Sequence, residues 1–485
     1  MSKAGLAALA AALAAVLCAC AGEAARSLPE VPGGNPAPDP AAFPAFSPAP
    51  SLPPIYAPSP SPPPPDGSPA PAAEPTETDP PPLASAEPES YGRLPAIYLA
   101  TDNGRGVTSK TQYISGTFSL RIGEDTLYDP ALSVGEASMQ IKGRGHSSWL
   151  FAKKPYHVKL DEKLSLFGLP KAKNWVLRAG YSDKSLIRDH VASVMGNTLS
   201  NMSFVPHTVL VDLYLNGSYR GVYTLTERID SERGRLTLFE DSWYDTGYLI
   251  EIGGTEEGDV EGVHYFNTNS FTNAYVHIPD PALRTDAQMR FITDYVQKAD
   301  AAVLALDGYD EYIDIPSLID WFILHELTYN LDSSFRRSCF MTKNNGEKLK
   351  MGPPWDFDLA FGNHFRYNNY PNVWASVSRR DGYVGVTWMD YLLTDPAFTS
   401  RLRERWLETG DALLETALRE IDLCEKVIAR SQEANFKAWN ILGRKTGYEP
   451  DNIAALTEYS QHTEQMRSFL LARKAWIDSA VARLP

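Results

Sequence analysis

The sequence predicts an α+β fold, with a β-rich amino-terminal part, a mainly helical carboxy-terminal part and a ligand cleft between them. Three observations carry that expectation. Short runs rich in β-branched and aromatic residues fill the first half of the folded region, and longer helical runs fill the second. A hairpin set among those helices is followed by a conspicuous pair of carboxylates, Asp356 and Asp358.

Taken in order, strands are expected at residues 96–101, 112–122, 138–142, 156–160 and 175–179, bounded by Gly, Pro, Asp and Asn. A helix opens at Asp183 and runs to about Leu199, with Ser182 or Asp183 as its N-cap. Two strands follow at 208–215 and 219–227, joined by Asn216-Gly217, the strongest short hairpin signal. Beyond a Gly-rich acidic stretch near residues 252–262, helices are expected at 287–306, 315–330, 397–409, 412–434 and 453–482. Residues 339–351, centred on Asn345-Gly346, read as a second hairpin.

Not all of the 485 residues belong to that fold. Residues 1–19 read as an export signal, with Lys3 before an Ala/Leu-rich run too short for a membrane-spanning helix. The run ends in Leu17-Cys18-Ala19-Cys20, which resembles a bacterial lipobox with Cys20 as the lipidated residue. A diacylated cysteine carries enough acyl chain for stable anchoring, so the expected location is extracytoplasmic, on the membrane surface. Residues 20–92 form a Pro-rich acidic linker that contains Pro62 to Pro65 and, from Ser27 to Ser90, neither Lys nor Arg. Such composition builds neither a helix nor a sheet ladder and reads as a disordered, semi-extended tether. The domain proper is placed at 93–485, with Cys339 and Cys424 expected as free or buried thiols. A net charge of −15 argues against nucleic acid as a partner.

Several residues are placed where a packed domain has no need of them. Asp356 and Asp358 lie among Trp355, Phe357 and Phe361. A carboxylate desolvated by such rings costs several kcal/mol unless a cation meets it, and hard oxygen ligands suit Mg²⁺ or Ca²⁺. An Asp-x-Asp turn capping backbone amides accounts for the same two residues. In Lys142-Gly143-Arg144-Gly145-His146-Ser147-Ser148, alternate glycines let backbone amides approach an anion, although a plain β-turn has the same composition. Lys154 shares parity with Tyr156, Val158 and Leu160 and is expected to face inward, whereas Lys159 faces out. Asp183 and Arg188 fall about one turn apart, where an exposed ion pair contributes about 0.2–0.5 kcal/mol. Glu227 closes a strand, and Asp332 follows the helix that carries His325.

Together, and in this order, several segments resemble the CotH spore-coat kinase family. They are Arg144-Gly145-His146-Ser147-Ser148, Lys153-Lys154-Pro155-Tyr156, Asn174-Trp175, Asp183 to Arg188, and Asn216-Gly217-Ser218-Tyr219-Arg220-Gly221-Val222-Tyr223. Glu227, Asp332, Pro354-Trp355-Asp356-Phe357-Asp358 and Phe361-Gly362 complete the set. The resemblance spans residues 94–363, with helices at 385–482 completing the domain. It implies an atypical two-lobed protein-kinase-like fold that uses ATP and Mg²⁺ (or Mn²⁺) to phosphorylate Ser or Thr of exported proteins. In that scheme Arg144 and Lys154, or Lys159, meet the phosphates, with Arg188 and Glu227 near the nucleotide. Asp332 faces the acceptor hydroxyl, Asp356 holds the metal, and Asp358 is a second ligand or a cap. The chain departs from kinase patterns in three ways. No Asn follows Asp332 within Ser334-Phe335-Arg336-Arg337-Ser338, no Gly-rich nucleotide loop is present, and no His-Arg-Asp triplet is present. Two other readings therefore stand beside the kinase: a non-catalytic surface-binding protein of the same fold, and a metal-dependent hydrolase using Asp356 and Asp358.

Overall fold

Seven strands of the amino-terminal half close into a barrel in the order β1-β2-β3-β4-β5-β7-β6. They are β1 (Ala96–Thr101), β2 (Ile114–Arg121), β3 (Val134–Gly143), β4 (Tyr156–Leu164), β5 (Ala172–Arg178), β6 (Thr208–Leu215) and β7 (Ser218–Glu227). Neighbours are antiparallel except at the closing seam, where β1 runs parallel to β6 from Ala96↔Asp212 to Leu99↔Leu215. The resemblance implied a kinase-like lobe, and the structure corrects this to a closed barrel. Period-two alternation explains the interior: Ile97 and Leu99, Met139 and Ile141, Val158 and Leu160, Trp175 and Leu177, and Val211 and Leu213 all point into one core. Asn216 and Gly217 both take positive φ (52° and 75°), as the β6–β7 hairpin requires.

This computed structural model describes residues 94–485, except 125, 232–234, 240–243, 254–263, 272–273, 278–283, 332, 334, 336, 366–371 and 378–386. All described residues belong to one unit, Ala72–Pro485. The signal, Cys20 and the linker lie outside them, and so does Asp332.

A second core holds the rest. Helices α1 (Arg188–Asn197), α2 (Asp286–Ala305), α3 (Ile315–Thr328), α4 (Pro396–Ala438) and α5 (Tyr459–Ala482) pack with a sheet ordered β12-β11-β8-β10-β9. Its strands are β8 (Tyr248–Ile252), β9 (His264–Phe266), β10 (Ala274–His277), β11 (Cys339–Lys343) and β12 (Lys350–Met351). The expected 339–351 hairpin is present and adds to β8. Helix α3 is buried on every side, as its apolar sequence requires, and is capped by Asp314, which accepts from the Ser317 amide at 2.9 Å. Two expected helices merge into the 43-residue α4. Gly410 does not break it: the glycine lies under the Trp406 ring, and a Cβ there would sit 3.0 Å from that ring. Among the described residues no helix is long and apolar enough to cross a membrane.

The barrel is tied to α4 through buried polar groups. Lys153 donates to the Val222 carbonyl at 2.5 Å and to Asn435 Oδ1 at 2.9 Å, while Tyr219 and Ser431 donate to Asp212 at 2.7 Å. Burial pulls the Lys153 amine down to about 7 and pushes the Asp212 carboxyl up to about 7. The inward lysine is thus Lys153, not Lys154: both precede the strand start at Tyr156, so strand parity does not reach them.

Candidate functional site

Three segments with ordinary local structure converge on one cleft. The first is the turn after β3. Gly145 sits at φ +82°, and a Cβ on it would lie 2.1 Å from Ser148 Oγ, so glycine alone lets this backbone fold over its own serines. Lys110 holds the turn by donating to the Gly145 carbonyl at 3.1 Å. The second segment is the end of β5. With Trp175 and Leu177 turned into the barrel, Arg178 projects the other way. The third is the stretch after β12, which carries Trp355, Asp356 and Asp358.

Arg178 organises the junction. Its guanidinium pairs with Asp189 at 2.9 Å and, through its other terminal nitrogen, with Asp356. Asp189, in the first turn of α1, also accepts from the Phe357 amide at 2.8 Å. Ser338 Oγ donates to Asp356 Oδ2 at 2.9 Å, and buried Asn330 donates to the Asp356 carbonyl at 2.9 Å. Asn363 holds the Asp358 carbonyl at 2.8 Å. Asp356 adopts φ +59°, a left-handed conformation that Asp tolerates better than most residues and that these partners hold in place. The sequence left Asp356 open between a desolvated charge met by a cation and a carboxylate in a capping turn; in the structure its side chain is 27% exposed and pairs with Arg178.

Around this junction lies a cavity of about 390 Å³. The turn Arg144–Ser148 lines it, together with Asp356 and Asp358. Arg178, Arg337, Glu251 and Tyr448 are also among its lining residues. Arg144 and Arg178 both lie over the Trp355 ring, at 5.7 and 4.8 Å from its centroid. Burial, and then the charge of Arg178, pull the Arg144 guanidinium down to about 10. Burial pushes the Asp189 carboxyl up to about 6, against the pull of Arg178. Burial likewise raises the Glu251 carboxyl, while His277 at 3.5 Å opposes the rise.

Of the residues singled out from sequence, Arg144, Asp356 and Asp358 are brought together here. Lys154, Lys159, Arg188 and Glu227 do not line the cavity, and Asp332 lies outside the described residues. Lys154 donates to the Trp149 carbonyl at 2.9 Å and lies over that ring, and Lys159 is exposed on the barrel exterior. Arg188 is fully buried and pairs with Asp183, whose carboxylate also accepts from the Arg188 amide at 3.0 Å. That pair was expected to be exposed; instead it folds the loop leading into α1. Glu227 is fully buried between Arg235 (3.1 Å) and His207 (2.9 Å). Sequence reasoning missed Arg178, Asp189, Glu251 and Arg337, along with Lys184, whose buried pair with Glu449 at 2.7 Å anchors the Tyr448 loop.

The donor set suits a polyanion held with a hard divalent cation. Guanidinium groups, two hydroxyls and a glycine turn that a Cβ would fill share the cavity with a pair of carboxylates. The barrel and the helical core both contribute residues to this cavity. Residues 141–477, well over half of the chain, match the family described as CotH kinase protein. The chain belongs to that family, and membership implies ATP as phosphate donor. The match takes in α4 and most of α5 and begins within β3, later than the resemblance suggested. No curated protein matches the chain.

Proposed function

We propose that this chain is an exported protein kinase, anchored by lipid at Cys20, that transfers the γ-phosphate of ATP to Ser or Thr of other exported proteins. One observation carries the reading: the Arg144–Ser148 turn, Asp356 and Asp358 line a single cavity of about 390 Å³. In this reading Arg144, Arg178 and Arg337 bind and orient the phosphates, and Ser147 and Ser148 add hydroxyl donors. Asp356 and Asp358 hold Mg²⁺ or Mn²⁺, the carboxylate oxygens of Asp356 retaining lone pairs beyond those given to Arg178 and Ser338. A divalent ion held there would supply charge neutralisation to the phosphates. Asp332 accepts the proton of the incoming hydroxyl. Asn330, two residues before it, is bonded to the Asp356 backbone, which supports placing the two carboxylates in one site.

A non-catalytic relative that binds nucleotide is the second reading. It is favoured by the occupied oxygens of Asp356 and the lack of an Asn shortly after Asp332. Incubation of the purified full chain with γ-labelled ATP and Mg²⁺ or Mn²⁺ separates the two. Label on the protein, lost in Asp332→Asn, supports the kinase; a nucleotide-dependent rise in melting midpoint with no label transferred supports the binder.

A further inference from the structure

A second cluster, outside the cleft, combines three kinds of ligand atom. His190 comes from α1, while Glu420 and Cys424 lie one turn apart on α4 and so share a face. One ligand atom from each lies within 4.8 Å of the others. His190 Nε2 is 3.0 Å from Glu420 Oε1, and Cys424 Sγ is 3.6 Å from the same oxygen. The other ring nitrogen of His190 is bonded to Thr208 Oγ1 at 2.8 Å, which fixes the ring with Nε2 toward the carboxylate.

We propose that His190, Glu420 and Cys424 form a structural site for a borderline-soft divalent cation of the Zn²⁺ class, joining α1 to α4. Tetrahedral Zn²⁺, with bonds of about 2.0–2.3 Å, spaces an N,O pair by about 3.3 Å and an S,O pair by about 3.5 Å. The observed separations differ from these by only a few tenths of an ångström or less. A cavity of about 20 Å³ adjoins all three side chains, with Tyr128 and apolar Leu210 and Val427 also in its wall. That is room for one small ion or water, since about 10–15 Å³ is the minimum for either.

The chemistry balances. The Cys424 thiol gives its proton to solvent and its sulfur binds as thiolate, so thiolate and carboxylate together neutralise the dication, with neutral imidazole as third ligand. Burial, reinforced by Glu420, holds the thiol well above its usual range when no cation is bound, and this keeps it unreactive. The mixed S, N, O set selects a softer metal than the all-carboxylate pair in the cleft. His190 is adjacent to Asp189, so a joint here braces the helix turn that holds Arg178 and the Phe357 amide.

The test is titration of the full chain, stripped with chelator, using Co²⁺ and then Zn²⁺. A thiolate-to-cobalt charge-transfer band saturating at a single equivalent, and a Zn²⁺-dependent rise in melting midpoint, are expected. Cys424→Ser should abolish the band. Glu420→Gln, which keeps shape and hydrogen bonding, should weaken Zn²⁺ binding by about tenfold or more. Cys339→Ser and Asp356→Asn should leave the band intact, which separates this site from the cleft. Absence of the band in wild type overturns the proposal. So does a band that survives Cys424→Ser, or Zn²⁺ affinity unchanged in Glu420→Gln.

Discussion

Arg178 sits between two carboxylates, and its removal tests the electrostatic account of the cleft. Its side chain is 10% exposed, that of Asp189 8% and that of Asp356 27%. Replacing Arg178 with Gln leaves Asp189 and Asp356 without the guanidinium that pairs with both. Breaking a buried ion pair costs about 3–5 kcal/mol, and because water screens part of Asp356 we expect about 2–4 kcal/mol at pH 7. The loss should depend on pH. Burial already raises Asp189 from 3.8 to about 6, with Arg178 opposing and Asp356 adding to the rise. A raised folded pKa means the stabilising contribution is complete below the unfolded value and is lost as pH climbs through the folded one. Without Arg178 the folded value moves higher still, so the variant loses more than wild type between pH 5 and 7, by about 1.4 kcal/mol per additional unit. Urea unfolding of both proteins at pH 5 and pH 7 measures this. The double variant Arg178→Gln, Asp189→Asn should recover much of the loss. Equal losses at the two pH values, or a loss under about 1 kcal/mol at pH 7, would refute the argument.

Other consequences follow from the same structure. Gly145→Ala places a Cβ against Ser148 Oγ at φ +82°, and we expect at least a tenfold weaker nucleotide affinity by calorimetry with little change in far-UV circular dichroism. Removing residues 27–90 should leave the melting midpoint unchanged, because that composition buries little apolar area; a fall of several degrees would show that the tether packs on the domain. Cys20→Ser should move the protein from the membrane fraction to the soluble one, and continued membrane association would reveal another anchor.

What the sequence revealed was local, and what it hid was long-range. The Asn216-Gly217 and Asn345-Gly346 turns were legible because the two dipeptides themselves favour the positive φ of a tight hairpin, and the first is seen to adopt it. Barrel closure was not, because Ala96 pairs with Asp212 across more than a hundred intervening residues and no periodicity records a partner. Strands β8 to β10 escaped because each is five residues or fewer around a Gly-rich acidic stretch. Arg144, Asp356 and Asp358 stood out as charges among glycines or aromatic rings. Arg178 and Asp189 did not: an arginine ending a strand and an aspartate opening a helix each have a sufficient local explanation. Only their approach in space shows that they act on Asp356.

That approach changes what Asp356→Asn should do. Were a metal ion the only charge able to neutralise Asp356, substituting it would relieve a desolvated anion and raise the melting midpoint of the ligand-free protein. Arg178 removes that expectation, because it pairs with Asp356 in the ligand-free fold and keeps Asp189 as a partner when Asp356 is replaced. The variant should therefore unfold within about 1 kcal/mol of wild type, while Asp189 loses a repelling neighbour. Phosphate transfer should vanish, and Mg²⁺-ATP should stabilise the wild type but not the variant, since a ligand stabilises only the state that binds it. Thermal scans with and without Mg²⁺-ATP measure both effects. An equal response in the two proteins would remove Asp356 from the metal site, whereas outright unfolding would make it a structural cap. Stability and ligand response are separable here because one guanidinium serves two carboxylates.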